Sequence, residues 1–249
     1  MQEVGDIQLI YRYPVKSFQG EQLSSTQVER YGIYGDRGYA FIDHTRSNDE
    51  TRSNKKLNAK FAPKLLAYSS AYLEEGTGEG FPPVQITTPD GRYLAWDEEL
   101  FAEIRAVVAP REISPKLYSP VDDDLLGVDE ACLLLTTDVS LAELEQMVGL
   151  YTDIRRFRPN LVIRRTGSGG YPFEEFDWVG KTLKIGDVIL EIYKKCRRCS
   201  MVNVDPEDNA ANPVFLKHIA KRLGANFGVY AKVVQTGIVS VHDKVYLTT

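Results

Sequence analysis

Long apolar runs are missing from this sequence. The longest, such as "ACLLL" at residues 131–135, fall far short of the ~20 residues that a membrane-spanning helix needs. Basic excess is missing as well. Thirty Lys and Arg stand against 35 Asp and Glu, giving a net charge of -5 and a pI near 5.4. That balance argues against a generic electrostatic footprint on nucleic acid or on an anionic membrane, so neither is expected as a partner. The opening "MQEVGDIQLIYRY" has no basic stretch followed by an apolar one, and no secretory leader is expected from it. Cysteine is scarce and odd in number, at three, which excludes a disulfide framework. Free thiols are at home in a reducing compartment, and the cytoplasm is the expected location. Histidine is equally scarce: His44, His218 and His242 have no nucleophile partner pattern, and no chemistry is assigned to them.

What is present is an ordinary globular composition, 43% hydrophobic and 26% charged over 249 residues. That is enough for one large domain or two small ones. Short strands dominate: residues 7–15, 38–43 and 65–73 carry β-branched and aromatic side chains in partial alternation. Residues 84–96 predict a hairpin around Pro89-Asp90-Gly91, and residues 182–195 a second turning at Gly186-Asp187. A third pair is expected at the end of the chain, with its turn near Gly237.

Helices are fewer. Residues 97–108 place Leu100, Ile104 and Val107 or Val108 on one face. Residues 140–150 open with Ser140 and carry Glu143 three positions on, a capping-box pattern. Residues 212–224 have Asn212 as cap, Pro213 at the first helical position and Gly224 as stop. The fold class expected is mainly β with a few helices, in two parts. The weakest connection lies between Pro110 and Val128, with an Asp run at its centre, and divides the chain into residues 1–115 and 116–249. The polar stretch 44–56 reads as a loop or hairpin tip.

Chemistry concentrates in "YKKCRRCSMVNVDPE", residues 193–207. Structural zinc requires four ligands, and only Cys132 and three scattered histidines remain beside Cys196 and Cys199. A thioredoxin-like dithiol requires its Cys-x-x-Cys to open a helix, whereas "SMVNVDPE" reads as extended. Lys194, Lys195, Arg197 and Arg198 surround the pair with positive charge. Such neighbours favour a thiolate, the form that binds soft metals. Cys132, within an apolar strand, reads as a buried small hydrophobe.

Three further clusters stand at strand ends: Lys16-Ser17 after Tyr13-Pro14-Val15, Asp36-Arg37, and Arg158 and Asn160 on either side of Pro159. Each alone reads as a solvated loop. Together with the cationic cysteine motif they supply charge-assisted donors for a phosphate or a polar heterocycle. The Gly-rich "TGSGGYP" (166–172) lacks the Lys-Ser/Thr of a phosphate loop and reads as a flap. The acidic "FEEFDW" (173–178) reads as a lid over a cleft or as a turn anchored by Trp178.

These residues, in this order, resemble the MOSC family, the domain named for molybdenum cofactor sulfurase C-termini. The resemblance is to the two-part architecture of mitochondrial amidoxime-reducing components and their bacterial relatives. "YRYPVKSFQGEQL" and "YGIYGDRGYAFID" resemble its N-terminal β-barrel domain. "RFRPNLVI", "CRRCSMVNVDPE" and "NFGVYAKVVQTGIVSVHDKVYL" resemble the MOSC β-barrel itself. The resemblance implies a molybdenum cofactor of the molybdopterin type, with Cys199 as metal ligand and catalytic residue. It implies cofactor contacts from Lys16, Ser17, Arg37, Asp129, Arg158, Asn160, Asp205 and Tyr230. It further implies a molybdenum-dependent oxidoreductase that reduces small N-hydroxylated substrates. Electrons are then expected from a separate donor protein, ferredoxin-like or a flavin or haem reductase. The rival within the same resemblance is a sulfur or cofactor carrier using Cys199, and pyridoxal phosphate binding is a further family-level expectation. Glu130 and Ala131 stand where some members carry hydroxyl side chains, and Val204-Asp205-Pro206-Glu207-Asp208-Asn209 departs from the usual ending of that motif.

Overall fold

The fold is described from a computed structural model, in which residues 1–46, 56–76, 80–121, 126–166 and 170–248 are described. Most of the expected polar loop at 44–56, the centre of the Asp run and the middle of the Gly-rich stretch at 166–172 lie outside the described residues.

Seven strands close on themselves. Leu161–Arg165, Leu133–Thr137, Asn226–Gln235, Val188–Arg197, Thr182–Ile185, Lys244–Thr248 and Gln2–Arg12 pair in that order, and Gln2–Arg12 returns to Leu161–Arg165. Closure removes both sheet edges and turns alternate side chains into a common interior. Ile7, Leu135, Ile163, Leu190, Ile192 and Val229 fill it, all fully buried. All the pairings are antiparallel but one. Leu133–Thr137 and Leu161–Arg165 run parallel and are joined through the helix Asp138–Val148, because a parallel pair needs a crossover long enough to return the chain.

Gln2–Arg12 comes from the other side of the expected division near residue 115. The barrel therefore takes one of its strands from the N-terminal part of the chain. The same part lends Ser25–Glu29 to pair with Gly237–Ser240 and Gly32–Ile33. Around these, Tyr39–Asp43 pairs with Ile113–Leu117, and Ser69–Tyr72, Val84–Thr87 and Tyr93–Leu94 form a three-stranded sheet. Their common core stacks Phe18 on Tyr68 at 5.3 Å and sets Phe41 against Trp96 at 4.9 Å. Three α-helices occur among the described residues, so the mainly-β class with a few helices holds. No helix among them is long and apolar enough to cross a membrane.

Both expected hairpins form, pairing Ile86 with Leu94 and Ile185 with Val188. The third pair does not. Asn226–Gln235 is already flanked by Leu133–Leu135 and by Val188–Arg197, so the segments after it leave for Ser25–Glu29 and for Gln2–Asp6. The helix expected from Ser140 starts earlier: Thr137 is the cap, its Oγ1 accepting from Ser140 N at 3.1 Å. The helix expected from Asn212 starts one residue later, at Val214 with Pro213 at the cap; Asn212 Oδ1 still accepts from Val214 N at 3.1 Å, and Gly224 ends the helix at φ 59.

Candidate functional site

The last strand residues before Cys199 are set by irregular pairing. Along Val188–Arg197, Val188, Leu190 and Ile192 point inward. The register against Asn226–Gln235 then shifts between Ile192 and Lys194 and again between Lys195 and Arg197. A bulge places two residues against one and resets which side chains face in. Cys196 nevertheless stays in step with Val188, Leu190 and Ile192 and is fully buried, and Arg197 and Cys199 emerge at the strand end. Cys199 caps a single 3-10 turn, Ser200–Asn203, where the sequence suggested extended chain. Val202 supplies the reason, since its fully buried side chain anchors the turn against Phe157, Phe215 and Phe227. The two lysines do not share the thiol. Lys194 pairs with Glu130, and Lys195 lies 4.6 Å over the Phe176 ring.

The opposite wall comes from the N-terminal part. Beyond Tyr13-Pro14, Lys16 N donates to Tyr39 O at 2.8 Å, and the buried Lys16 ammonium meets Asp129 Oδ1 at 2.7 Å. Ser17 sits in left-handed backbone at φ 72. Its hydroxyl is engaged locally, donating to Leu57 O and accepting from Ala59 N. Asp36 is buried beneath Arg37, its Oδ1 accepting from Tyr13 N at 2.8 Å and its Oδ2 from Asn160 Nδ2 at 3.0 Å. Asn160 also accepts from Leu134 N and donates to Tyr11 O, so its amide fastens three chain segments under the site. Pro159 precedes the strand Leu161–Arg165 rather than interrupting one. The turn it terminates holds Arg158 at φ 53. The guanidinium groups of Arg37 and Arg158 lie 4.5 and 4.2 Å from the Tyr13 ring centre, a paired cation–π arrangement that fixes both.

These walls enclose one cleft of about 780 Å³ counting its open mouth. Lys16, Ser17, Arg37, Asp129, Arg158, Asn160, Cys199 and Tyr230 all line it. Asp205 does not. Its carboxylate is turned to Arg156 and to Glu207 N, away from the residues that line the cleft. Asn58, which the sequence reading passed over, lines the cleft and donates to Asp129 Oδ2 at 2.6 Å. It lies just past a polar loop and carries no pattern that could have marked it. The "FEEFDW" segment is not a lid. Glu174, Glu175 and Trp178 are buried, and Glu175 accepts from Ser140 Oγ at 2.7 Å, tying the turn to the helix Asp138–Val148.

In a chain of net charge -5, the cleft lining holds Lys16, Arg37, Arg158, Arg197 and Arg198 against Asp129 and Glu130. Burial holds two of these cations below their ordinary values. Burial first, partly offset by Asp129, lowers Lys16 to about 8, with Lys56 and Arg37 adding to the fall. Burial and then Arg37 lower Arg158 to about 10. Buried cations that depress one another are relieved by an anion placed between them. Burial, followed by the nearby Cys196 sulfur, raises the Tyr230 phenol. Cys199 is the only thiol in the lining. Among the described residues no three of His, Cys, Asp and Glu converge as a metal-binding group. A metal here would take one soft protein ligand and its remaining donors from a bound molecule. The site therefore fits an anionic, metal-bearing ligand: guanidinium and ammonium groups for its charge, one thiol for its metal.

Comparison with known proteins gives the class. Residues 122–246 match the MOSC domain and residues 4–100 the MOSC N-terminal beta barrel domain, and the chain belongs to the MOSC family. Human mitochondrial amidoxime reducing component 2 is 30% identical over 288 residues, covering 99% of this chain and 84% of that protein. Human mitochondrial amidoxime-reducing component 1 is 24% identical, with the same coverage of 99% and 84%. The molybdenum cofactor sulfurase of Arabidopsis thaliana is 35% identical over 107 residues, 39% of this chain. The chain spans 12% of that sulfurase and 13% of the one from Drosophila mojavensis. The crystal structure of the YuaD protein from Bacillus subtilis shares the fold, with a TM-score of 0.51, 11% identity, and coverage of 98% of this chain and 94% of that one.

Proposed function

We propose that this cleft holds a molybdenum cofactor of the molybdopterin type and that the protein reduces small N-hydroxylated compounds. The observation that carries the reading is the joining of an exposed thiol, Cys199, to a cleft with five cations against two carboxylates. Kinship with the amidoxime-reducing components, whose name states their reaction, supports the choice of substrate. When bound, such a cofactor supplies two-electron oxygen-atom chemistry, and the protein supplies ligation, orientation and field. Lys16, Arg37, Arg158 and Arg198 would hold the anionic part of the cofactor by charge-assisted hydrogen bonds. The Cys199 sulfur would hold the metal. Arg197, exposed beside it, faces incoming substrate, and a separate electron-donor protein would complete the cycle.

The exposure of Cys199 also suits the rival, a sulfur carrier in which this thiol bears sulfane sulfur. One experiment separates the two. Wild type and Cys199→Ala are expressed in a host that makes molybdenum cofactor, and molybdenum and sulfane sulfur are assayed on both. Near-stoichiometric molybdenum on wild type, lost in the variant, is the expected result. Sulfane sulfur without molybdenum identifies the carrier, and neither on wild type overturns both readings.

A further inference from the structure

Cys196, the first cysteine of the motif, is fully buried beneath the cleft wall. Its sulfur accepts a hydrogen bond from Arg198 Nη1 at 2.8 Å. The Tyr230 hydroxyl is set against the same sulfur. Arg198 and Tyr230 come from different segments, and both line the cleft. The sulfur also lies 3.9 Å from Arg197 O. The second partner of Arg198 is a backbone carbonyl: Nη2 donates to Phe157 O at 2.8 Å. The guanidinium is thus fixed in place by a sulfur and a carbonyl oxygen, and among the described residues no carboxylate pairs with it. Elsewhere in the molecule buried arginines are handled differently: Arg12 is set against Glu21, Arg156 against Asp205 and Arg165 against Glu174. A carboxylate beneath Arg198 would hold it equally well and would consume the charge that an anion in the cleft requires.

We infer that Cys196 is a positioning residue for anion recognition, holding Arg198 and Tyr230 at the cleft wall while leaving the Arg198 charge to the ligand. The inference rests on the reading of the cleft as an anion site and concerns a residue that reading leaves without a role. It predicts an ordering by charge rather than by size. Cys196→Asn and Cys196→Asp are nearly isosteric, and only the second neutralises Arg198.

The test is titration of the full chain, prepared free of cofactor, with inorganic phosphate at fixed pH and low ionic strength, followed by calorimetry. Wild type and Cys196→Asn are expected to bind within about threefold of each other, and Cys196→Asp at least roughly tenfold more weakly, the scale of one hydrogen bond to a charged group. Should Cys196→Asp fail to fold, Cys196→Ser and Cys196→Ala replace the pair. Serine retains an acceptor and restores phosphate affinity relative to alanine if the sulfur acts as an acceptor. Wild type binding with Cys196→Asp equal to Cys196→Asn, or with Cys196→Ser equal to Cys196→Ala, overturns the role of Cys196 and leaves the cleft reading intact. Absence of phosphate binding by wild type overturns the anion cleft and this inference with it.

Discussion

Replacing Glu175 with glutamine should make the protein more stable at neutral pH and leave it nearly unchanged in acid. Glu175 is fully buried. Thr136 Oγ1 and Thr137 Oγ1 lie at 3.4 Å from its two oxygens, and Ser140 Oγ donates at 2.7 Å. Burial raises its carboxyl from the ordinary 4.5 to about 7. The Ser140 hydroxyl opposes the rise, and neighbouring Glu174, itself paired with Arg165, adds to it. A raised folded-state value means that between pH 4.5 and 7 the folded chain keeps a proton that the unfolded chain has released. Stability therefore falls as pH rises through that window and is level above it. The difference amounts to about 3 kcal/mol at most, at about 1.4 kcal/mol per pH unit. Glutamine reproduces the neutral acid, one acceptor and one donor, at every pH.

Urea unfolding followed by the fluorescence of buried Trp178, three residues on, from pH 4.5 to 8 measures the effect. The advantage of Glu175→Gln over wild type should grow from near zero to about 3 kcal/mol. A difference independent of pH, or one that favours wild type as pH rises, would mean that the carboxylate is ionised and held by its hydroxyl donors, and the reasoning would fail.

Two further outcomes follow from the cleft and its frame. Because Lys16 stands at about 8 when the cleft is free, sulfate affinity should fall as pH is raised from 7 to 9.5. Binding near pH 8 should take up protons, seen by calorimetry in two buffers of different ionisation heat, and Lys16→Met should bind weakly with no such dependence. Gly228 has φ 75, and a Cβ there would lie 2.6 Å from Leu135 O. Gly228→Ala should cost roughly 2 kcal/mol or more in thermal unfolding and weaken anion binding by displacing Tyr230, two residues on.

Local signals were read well where the chain decides locally. The Pro-Asp-Gly and Gly-Asp turns need only their own residues, and both hairpins formed. The pattern of Leu100, Ile104 and Val108 is complete within one helix. The segment after Gln235 was misread because pairing is exclusive: no local signal tells that both edges of Asn226–Gln235 are taken by strands nearly a hundred and about forty residues earlier. The Ser200–Asn203 turn was misread for a related reason, since Val202 is held by aromatic side chains from elsewhere in the chain. At the site, the family motifs named residues that do converge on one cleft, with Asp205 the exception. The division of labour among them was hidden. Ser17 spends its hydroxyl on the backbone and Asn160 its amide on the backbone and Asp36, while Lys16 and Arg37 are set against Asp129 and Asp36 and Arg158 donates to Phe18 O. Such a distinction depends on who sits opposite, which spacing does not encode.

The strand Gln2–Arg12 has a further consequence for how the chain is made. Only its last residues have a local partner, Ile10 to Arg12 against Glu21–Leu23. Its other neighbours are Leu161–Arg165 and Lys244–Val245 and the two residues after them. During synthesis this strand emerges before either of those partners, and its second edge stays uncovered until residues 244–247 have been made. Contacts of such separation form slowly, and an uncovered strand is a template for pairing with other chains. Refolding from denaturant should accordingly be slow and concentration-sensitive, with the yield improved by a holding chaperone that shields this strand.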